Sequence, residues 1–465
     1  MRPIALFAVA AVAGCNPGDF GDALDRAPVQ FIGRPDSFGP NAGRMLLPLA
    51  PPADKPKGAA RLIFAGTETP SLAVADFDGD GKAQVQLASS EDLTSMGLIP
   101  GQGGISSAAW LNRPGSAGVV ALGMPAHEGV QGESSPAGRV AFISLLPNSS
   151  GKLDFERVGV WDGRATDGTD PTLPRGHFGL ALARGQVTQA ASDEVVIVAD
   201  YGVDLLAAAG AEVAYSTCMG YLKAPPDLHR SIAVADFLPG GNQEIAVGLP
   251  VQGGVGKVVI LQYGTNPSNP SGLPELFCAG NPLEAPDSVA VAGFGTALAA
   301  GPDLDGDGLA DLVVGAPPDR AYVFYSPFDG SKPPLAITKG DTVSEFGQRV
   351  ALVDINADGR QELAITALQA NVGQTPKAGQ VLIYKLFDSN GAPIQPVLVA
   401  TVNDSNPTGG TEFFGIGLAE LEFNSSRACA KGLDVHLLAA GADKGIFTFF
   451  RFLGSGPDPR CFAQK

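Results

Sequence analysis

A nine-residue acidic segment, 303–311, is the feature that most restricts what this chain can fold into. It places aspartates at its first, third, fifth and ninth positions, Asp303, Asp305, Asp307 and Asp311, and a glycine at its sixth, Gly308. Carboxylates this close repel one another unless a hard cation such as Ca²⁺ lies among their oxygens, and the glycine permits the sharp turn. The segment therefore predicts a calcium-binding loop.

The same spacing occurs twice more, in segments that begin at Asp354 and Asp76 and carry glycine at the sixth position. Three copies of one pattern in one chain indicate three calcium sites. Their candidate ligands are Asp303, Asp305, Asp307, Asp311, Asp354, Asn356, Asp358, Glu362, Asp76, Asp78 and Asp80.

An EF-hand is excluded for these loops, because that motif needs a glutamate at position twelve and helices on both sides. Position twelve is Leu87, Val314 or Ile365, each inside a short apolar run. Short runs rich in β-branched residues and stopped by Gly or Pro predict buried strands. The acidic loops are thus expected to connect β-strands.

A longer repeat surrounds the loops. Phe294-Gly295 and Phe346-Gly347 each precede an acidic loop, and each loop is followed by an apolar strand, a connector and a second strand. Searching for this unit without requiring the acids brings the number of copies to seven. They begin near Ser71, Ser106, Phe178, Ser231, Phe294, Phe346 and Phe414.

These motifs resemble the FG-GAP repeat of integrin α-chain propellers and their bacterial relatives, with Gly315-Ala316-Pro317 as the GAP element. The resemblance implies an all-β fold, a seven-bladed β-propeller of four-stranded antiparallel blades, with calcium loops between the first and second strands of some blades. It also implies that ligands bind at the end of the ring opposite the calcium ions. The propeller is expected to span residues 28–455, followed by a tail at 456–465.

Composition agrees with this class. The chain has 61 Gly and 38 Pro among its 465 residues, which is typical of turn-rich β architecture. Its formal net charge of −17 repels nucleic-acid backbones, so we expect no nucleic-acid partner.

The first fourteen residues combine a basic start with an apolar run too short to span a bilayer, which indicates an export signal. Val12-Ala13-Gly14-Cys15 resembles a bacterial lipobox, so we expect a signal peptide at 1–14, a lipid on Cys15 and a tether at 15–27. The alternative is a plain cleaved signal. The lipoprotein interpretation places the protein at the outer membrane or cell surface, with the lipid as its one membrane contact.

Four further cysteines, Cys218, Cys278, Cys429 and Cys461, are an even number in an exported chain and predict two disulfides. Three pairings are possible. We favour Cys429 with Cys461, which would attach the tail to the last blade.

No catalytic constellation is evident, since the four histidines are scattered and no nucleophile elbow occurs. We therefore favour a monomeric, non-catalytic module that binds a cell-surface protein or glycan, with Ca²⁺ as its cofactor. The alternatives are a propeller-fold polysaccharide lyase or glycosidase, and a purely structural envelope component.

Two expectations concern the ring itself. The strand Arg61–Ala65 is expected to close it by pairing with the blade that contains Phe447 and Phe449, because an unpaired edge exposes backbone. Partner binding is expected on the long connectors opposite the calcium loops, at 126–137, 263–293, 368–378 and 388–412. The alternative is that these connectors are simple spacers.

Overall fold

The computed structural model describes residues 30–33, 38, 43–49, 60–66, 70–77, 83–98, 103–112, 118–126, 137–150, 152–163, 177–190, 192–200, 202–207, 212–216, 231–250, 255–286, 293–340, 344–355, 359–388, 390–404, 413–424, 434–443 and 445–451. Over these ranges the protein is almost entirely β-structure. None of the helical segments there has the length and apolar character needed to cross a membrane.

The strands described form seven antiparallel sheets, one per blade. The first strand described is β1 (Gln30–Gly33), which belongs to the last blade. Blade 1 contains β2 (Met45–Leu49), β3 (Ala60–Gly66), β4 (Ser71–Phe77) and β5 (Ala83–Leu87), followed by the helix α1 (Ser90–Ser95). Blade 2 contains β6 (Ser107–Leu111), β7 (Val119–Met124), β8 (Arg139–Pro147) and β9 (Leu153–Asp162). Blade 3 contains β10 (Ala181–Gly185), β11 (Glu194–Val198), β12 (Val203–Ala207) and β13 (Glu212–Ser216).

The second half of the chain repeats this pattern. Blade 4 contains β14 (Ser231–Ala235), β15 (Glu244–Leu249), β16 (Lys257–Thr265) and β17 (Pro274–Cys278), with the short β18 (Leu283–Glu284) also paired to β16. Blade 5 contains β19 (Ala297–Ala300), β20 (Leu312–Ala316), β21 (Arg320–Phe324) and β22 (Leu335–Thr338). Blade 6 contains β23 (Phe346–Val353), β24 (Glu362–Ala367), β25 (Gln380–Phe387) and β26 (Pro393–Val402). Blade 7 contains β27 (Leu418–Asn424), β28 (Asp434–Ala442), β29 (Gly445–Arg451) and β1.

The blades form a closed ring whose inner wall consists of their first strands. β2 contacts β6, and the contacts continue through β10, β14, β19, β23 and β27 back to β2. Since neighbouring strands in a blade are antiparallel, loops between first and second strands lie at one end of the ring, here called the acidic-loop end. First strands start at the other end, here called the opposite end. The predicted fold is confirmed.

The core lies between blades. The buried apolar side chains that the structure describes fall into seven clusters, and each cluster draws on two adjacent blades. Phe294, for example, joins the cluster between blades 4 and 5, and Phe346 joins that between blades 5 and 6. Both rings are fully buried. Burial of apolar surface therefore fixes each blade against its neighbours.

Two details of the sequence prediction are wrong. The strand that closes the ring is β1, in which Phe31 lies opposite Phe447, whereas Arg61–Ala65 lies within the second strand of blade 1. Closure by an N-terminal strand was the correct principle, because the described C-terminal residues supply three strands of the last blade and β1 supplies the fourth. The repeat near Ser71 was also out of register, because Ser71–Phe77 is the third strand of blade 1.

The segment before blade 1 contains a further Phe-Gly dipeptide, Phe38-Gly39, which is not among the seven repeat starts predicted above. Phe38 is buried in the cluster between blades 7 and 1. Phe294 and Phe346 likewise lie between their own blade and the preceding one. Phe38-Gly39 in the sequence was the available signal.

Candidate functional site

The loop 303–311 connects β19 to β20 at the acidic-loop end, and Asp303 organises its backbone. The Asp303 carboxylate accepts hydrogen bonds from the backbone N–H groups of residues 305, 306, 307 and 308, the last at 2.7 Å. Desolvation opposes ionisation of Asp303, but these four donors favour its charged form, so its pKa lies below the usual value. Gly306 and Gly308 have positive φ, which lets the chain fold around this carboxylate.

Asp311 is the last acidic residue of the loop and lies directly before β20. Its side chain is fully buried and accepts from the backbone N–H of Leu304 at 2.7 Å and of Ser326 at 2.9 Å. Burial raises the pKa of Asp311 to about 6, and the nearby charges of Asp305 and Asp307 act in the same direction. A carboxylate held this way gains strongly from a cation.

Three of the four predicted ligands in this loop converge. Carboxylate oxygens of Asp303, Asp305 and Asp311 all lie within 4.8 Å of one another. Oδ1 of Asp305 is buried and makes no hydrogen bond, whereas its Oδ2 contacts the ammonium group of Lys332. Carboxylate oxygens are the ligands that Ca²⁺ prefers, and one of those here, Oδ1 of Asp305, accepts no hydrogen bond. This set of ligands therefore fits Ca²⁺.

Asp307 is not among the three carboxylates that converge. Its Oδ1 accepts from the backbone N–H of Leu309 at 2.9 Å, and its Oδ2 lies 3.4 Å from Nζ of Lys332. Lys332 thus pairs with both Asp305 and Asp307.

The loop of blade 6 is described in part. Asp354 accepts from the N–H of Gly359 at 2.8 Å, as Asp303 does from Gly308, and Glu362 is buried at the start of β24 as Asp311 is before β20. Asn356 and Asp358 lie outside the described residues. The first and ninth positions of this loop thus match those of the loop in blade 5.

The third predicted loop has a different place in the fold. Asp76 lies in β4 and faces Arg61 of β3, whose Nε donates to Asp76 Oδ1 at 2.6 Å. The segment that follows joins the third and fourth strands of blade 1 rather than the first and second. Asp78 and Asp80 lie outside the described residues. A buried arginine already neutralises Asp76, so calcium binding by this loop stays a prediction.

Sequence reasoning missed that blades 3 and 4 retain the ninth acid of the loop. Glu244 and Glu194 are both buried at the start of the second strand. Glu244 Oε2 accepts from the backbone N–H groups of Phe237 and Leu238, each at 2.9 Å. Burial raises the pKa of Glu244 to about 7. The nine-residue spacing from Asp236 to Glu244 was a readable signal for this position.

Of the five cysteines, Cys278 is the one that lies among the described residues. Cys278, at the end of β17, is disulfide-bonded. Cys15, Cys218, Cys429 and Cys461 lie outside the described residues, so the pairing and the lipid anchor stay predictions.

A cavity of about 740 Å³ opens at the acidic-loop end beside blade 6. Its polar lining includes Asp354, Arg360 and Glu420, and its apolar lining includes Pro48 and Leu352. Glu420 also accepts from the backbone N–H of Asp354 at 3.1 Å, which joins blade 7 to the loop of blade 6. A lyase or glycosidase was expected to bring His, Tyr, Lys or Arg together with acids at the propeller mouth. The described lining has Arg360 with the acids Asp354 and Glu420, and it has no His, Lys or Tyr.

The fold and the acidic loops together define the class, a β-propeller built from loop-bearing repeats. A family model described as FG-GAP repeat matches residues 294–325 and 346–384, which lie in blades 5 and 6. The chain therefore contains FG-GAP repeats within a seven-bladed propeller.

Two curated proteins are similar to parts of the chain. It is 31% identical over 156 residues to phosphatidylinositol-glycan-specific phospholipase D of Mus musculus, covering 31% of this chain and 18% of that protein. It is 30% identical over 182 residues to integrin alpha-4 of Xenopus laevis, covering 34% of this chain and 16% of that protein. The match thus spans less than a fifth of the length of either relative.

Proposed function

We propose that this protein is a surface-anchored, calcium-stabilised β-propeller that binds another macromolecule without chemistry of its own. The observation that carries the proposal is the convergence of Asp303, Asp305 and Asp311 in a loop of an FG-GAP repeat. Similarity to integrin alpha-4 supports an extracellular interaction module. The lyase or glycosidase alternative would use the cavity beside blade 6, where Arg360 lies with the acids Asp354 and Glu420.

Calcium would be held in blade 5 by Asp303, Asp305 and Asp311, and in blade 6 by a set that includes Asp354 and Glu362. The ion supplies positive charge that offsets the repulsion among these carboxylates. This chain's own residues do the rest: backbone N–H groups orient Asp303, and Ser326 of the next loop fixes Asp311. The turn between the first two strands of the blade is thereby clamped.

Asp305→Asn tests the blade 5 site. The variant should bind one calcium ion fewer than wild type by elemental analysis, and its melting temperature should fall less on chelation. An ion bound only to the native state at about 100 times its Kd stabilises by about 2.7 kcal/mol, so the difference is measurable.

The matched control is Asp329→Asn, which removes an exposed aspartate from a neighbouring loop of the same blade. It should bind calcium and melt as wild type does. Equal calcium content in wild type and Asp305→Asn would contradict the assignment.

Partner binding is proposed for the opposite end, where the connectors 126–137 and 368–378 join second to third strands. The segments 263–293 and 388–412 are less suited than expected, because each contains a fourth strand, β17 or β26. Loops held on a rigid scaffold are where binding residues concentrate.

Capture from cell-surface extract tests the binding proposal. The purified chain should retain one partner reproducibly, and shortening the connectors 126–137 and 368–378 to tight turns should abolish retention without changing the calcium-dependent melt. Retention that survives both changes would place binding elsewhere.

Surface anchoring is proposed through an acyl chain on Cys15. Cells fed a labelled fatty acid should incorporate label into the wild-type chain, and Cys15→Ser should be unlabelled and released from the membrane fraction. Label that persists in Cys15→Ser would refute this anchor.

A further inference from the structure

A lysine from outside the acidic loop of blade 5 reaches two carboxylates of that loop. Lys332 lies in the connector 325–334 between β21 and β22, the third and fourth strands of the blade. Third strands run towards the acidic-loop end, so this connector lies at the same end as the loop 303–311. The Lys332 ammonium group contacts Oδ2 of Asp305 and lies 3.4 Å from Oδ2 of Asp307. The loop thus has a cation of its own.

The connector is fastened to the loop independently of this lysine. The backbone N–H of Ser326 donates to Oδ1 of Asp311 at 2.9 Å, and the Ser326 hydroxyl donates to the carbonyl of Ala310. The Lys332 side chain is 40% exposed, whereas that of Asp305 is 15% exposed. The backbone therefore keeps the lysine near the loop, while its ammonium group can move out into solvent.

The contact with Asp305 places the ammonium group next to the proposed calcium site. Asp305 is one of the three carboxylates that converge, and its Oδ1 is buried and accepts no hydrogen bond. Lys332 contacts the other oxygen of the same carboxylate, Oδ2. A calcium ion at Oδ1 and an ammonium group at Oδ2 would lie close together, and like charges at short distance repel. Lysine and calcium should therefore compete for Asp305.

The sequence places this lysine beside the most acidic of the three predicted loops. The loop of blade 5 has aspartate at its first, third, fifth and ninth positions, whereas the loop of blade 6 has the neutral Asn356 at its third. The corresponding connector of blade 6, residues 388–392, contains no Lys or Arg. Arg360, within the loop of blade 6 itself, donates to the carbonyl of Asp388 at 3.3 Å. Lys332 thus accompanies the additional carboxylate of blade 5.

We propose that Lys332 is an internal counter-ion of the blade 5 loop, which pairs with Asp305 when no metal is bound and is displaced when calcium binds. In the metal-free protein it reduces the repulsion among the carboxylates. Because calcium has to displace it, it also lowers the calcium affinity of the loop. This inference rests on the proposed calcium site and names the residue that sets its affinity.

Calcium affinity tests the competition. Calcium is titrated into the purified, chelator-treated chain by isothermal calorimetry. Lys332→Gln should bind one calcium ion about tenfold more tightly than wild type, because a positive charge close to that ion is removed. Lys332→Arg keeps the charge and should remain close to wild type. The matched control is Lys257→Gln, because Lys257 has a similar exposure of 38% and pairs with Glu284 in blade 4.

The gain in affinity should depend on Asp305. In the Asp305→Asn background, which removes the blade 5 site, Lys332→Gln should leave the affinity for the remaining calcium unchanged. In chelator, Lys332→Gln should melt at a lower temperature than wild type, and saturating calcium should abolish this difference. An equal loss of melting temperature with and without calcium would give Lys332 a structural role alone and overturn the competition.

Displacement has its own signature. Reductive methylation with isotope-labelled formaldehyde keeps lysines charged and gives each an NMR signal, and the Lys332 signal is the one absent from Lys332→Gln. Saturating calcium should shift the Lys332 signal of the otherwise wild-type chain and leave the Lys257 signal in place. A Lys332 signal that calcium leaves unchanged would refute displacement.

The outcomes separate this inference from the proposed calcium site. If wild type and Lys332→Gln bind calcium in blade 5 with equal affinity, the site stands and Lys332 does not compete. If Lys332→Gln binds calcium there and wild type does not, the competition stands and wild type is not stabilised by calcium in this blade. If neither binds more calcium than Asp305→Asn, the blade 5 site and the competition both fail.

Discussion

At the scale of single residues, blades 3 to 6 share a carboxylate at the ninth position of the loop between their first and second strands. Glu194, Glu244, Asp311 and Glu362 are all buried at or just before the start of a second strand. In three of these blades the carboxylate accepts a backbone N–H from the loop before it, at Thr188, Phe237 and Leu304. The loop backbone is thus held by an internal acceptor even where the third and fifth acids are absent.

Glu244 predicts a specific pH dependence. Its pKa is raised in the folded state to about 7 from 4.5, so the folded protein holds a proton that the unfolded chain releases between these values. The charged form is disfavoured on folding, and the resulting penalty grows as pH rises from about 4.5 to about 7. In chelator, Glu244→Gln should be more stable than wild type at pH 8 by about 1–3 kcal/mol, and this advantage should shrink towards pH 5.

Denaturant unfolding at the two pH values measures this difference. Glu156→Gln, at an exposed position of β9, is the control and should change stability little at either pH. A stability difference between Glu244→Gln and wild type that is the same at pH 5 and pH 8 would contradict the burial of a titrating carboxylate.

At the scale of elements, the FG-GAP motif is a contact between two backbones. The GAP glycine of one blade packs against the carbonyl of the Phe-Gly glycine of the next, so a Cβ on Gly315 would lie 2.2 Å from Gly347 O, and one on Gly248 2.0 Å from Gly295 O. Gly347 and Gly295 have positive φ, which turns that carbonyl towards the preceding blade. The motif therefore sets how closely neighbouring blades approach.

Gly315→Ala should destabilise the protein by about 3 kcal/mol or more, because a backbone carbonyl cannot move aside as a flexible side chain can. The control is Gly264→Ala in β16, where nothing lies within 4 Å of the added methyl group. Denaturant unfolding should show that control within about 0.5 kcal/mol of wild type. Equal stabilities for the two variants would mean that blade contacts relax without cost.

At the scale of the whole molecule, the ring is held by one short N-terminal strand. β1 pairs with β29 through Gln30–Gly33, and Ile32 is buried in the cluster between blades 7 and 1. The glycine contact recurs at this junction, where a Cβ on Gly441 would lie 1.8 Å from Gly43 O. The same devices that join successive blades therefore also join the last blade to the first.

Deleting residues 1–33 should expose the edge of β29 and produce aggregates or a markedly lower melting temperature. Deleting residues 1–26 keeps β1 and is the control, which should elute as a monomer with a wild-type melt. Size-exclusion chromatography and thermal unfolding distinguish the two. A soluble, fully stable protein without residues 1–33 would show that β1 is dispensable for closure.

The sequence by itself determined the class of fold, the number of blades and the loop of blade 5. These features are local in the chain, since a nine-residue spacing and a Phe-Gly dipeptide report backbone turns and buried rings directly. The register of blade 1 and the identity of the closing strand were decided by tertiary structure. Ala60–Gly66 and Ser71–Phe77 read alike as apolar strands, and only their pairing in the ring shows that they are second and third. Contacts between distant residues, such as Arg61 with Asp76 or Arg349 with Ile416, depend on that pairing and leave no periodic mark in the sequence.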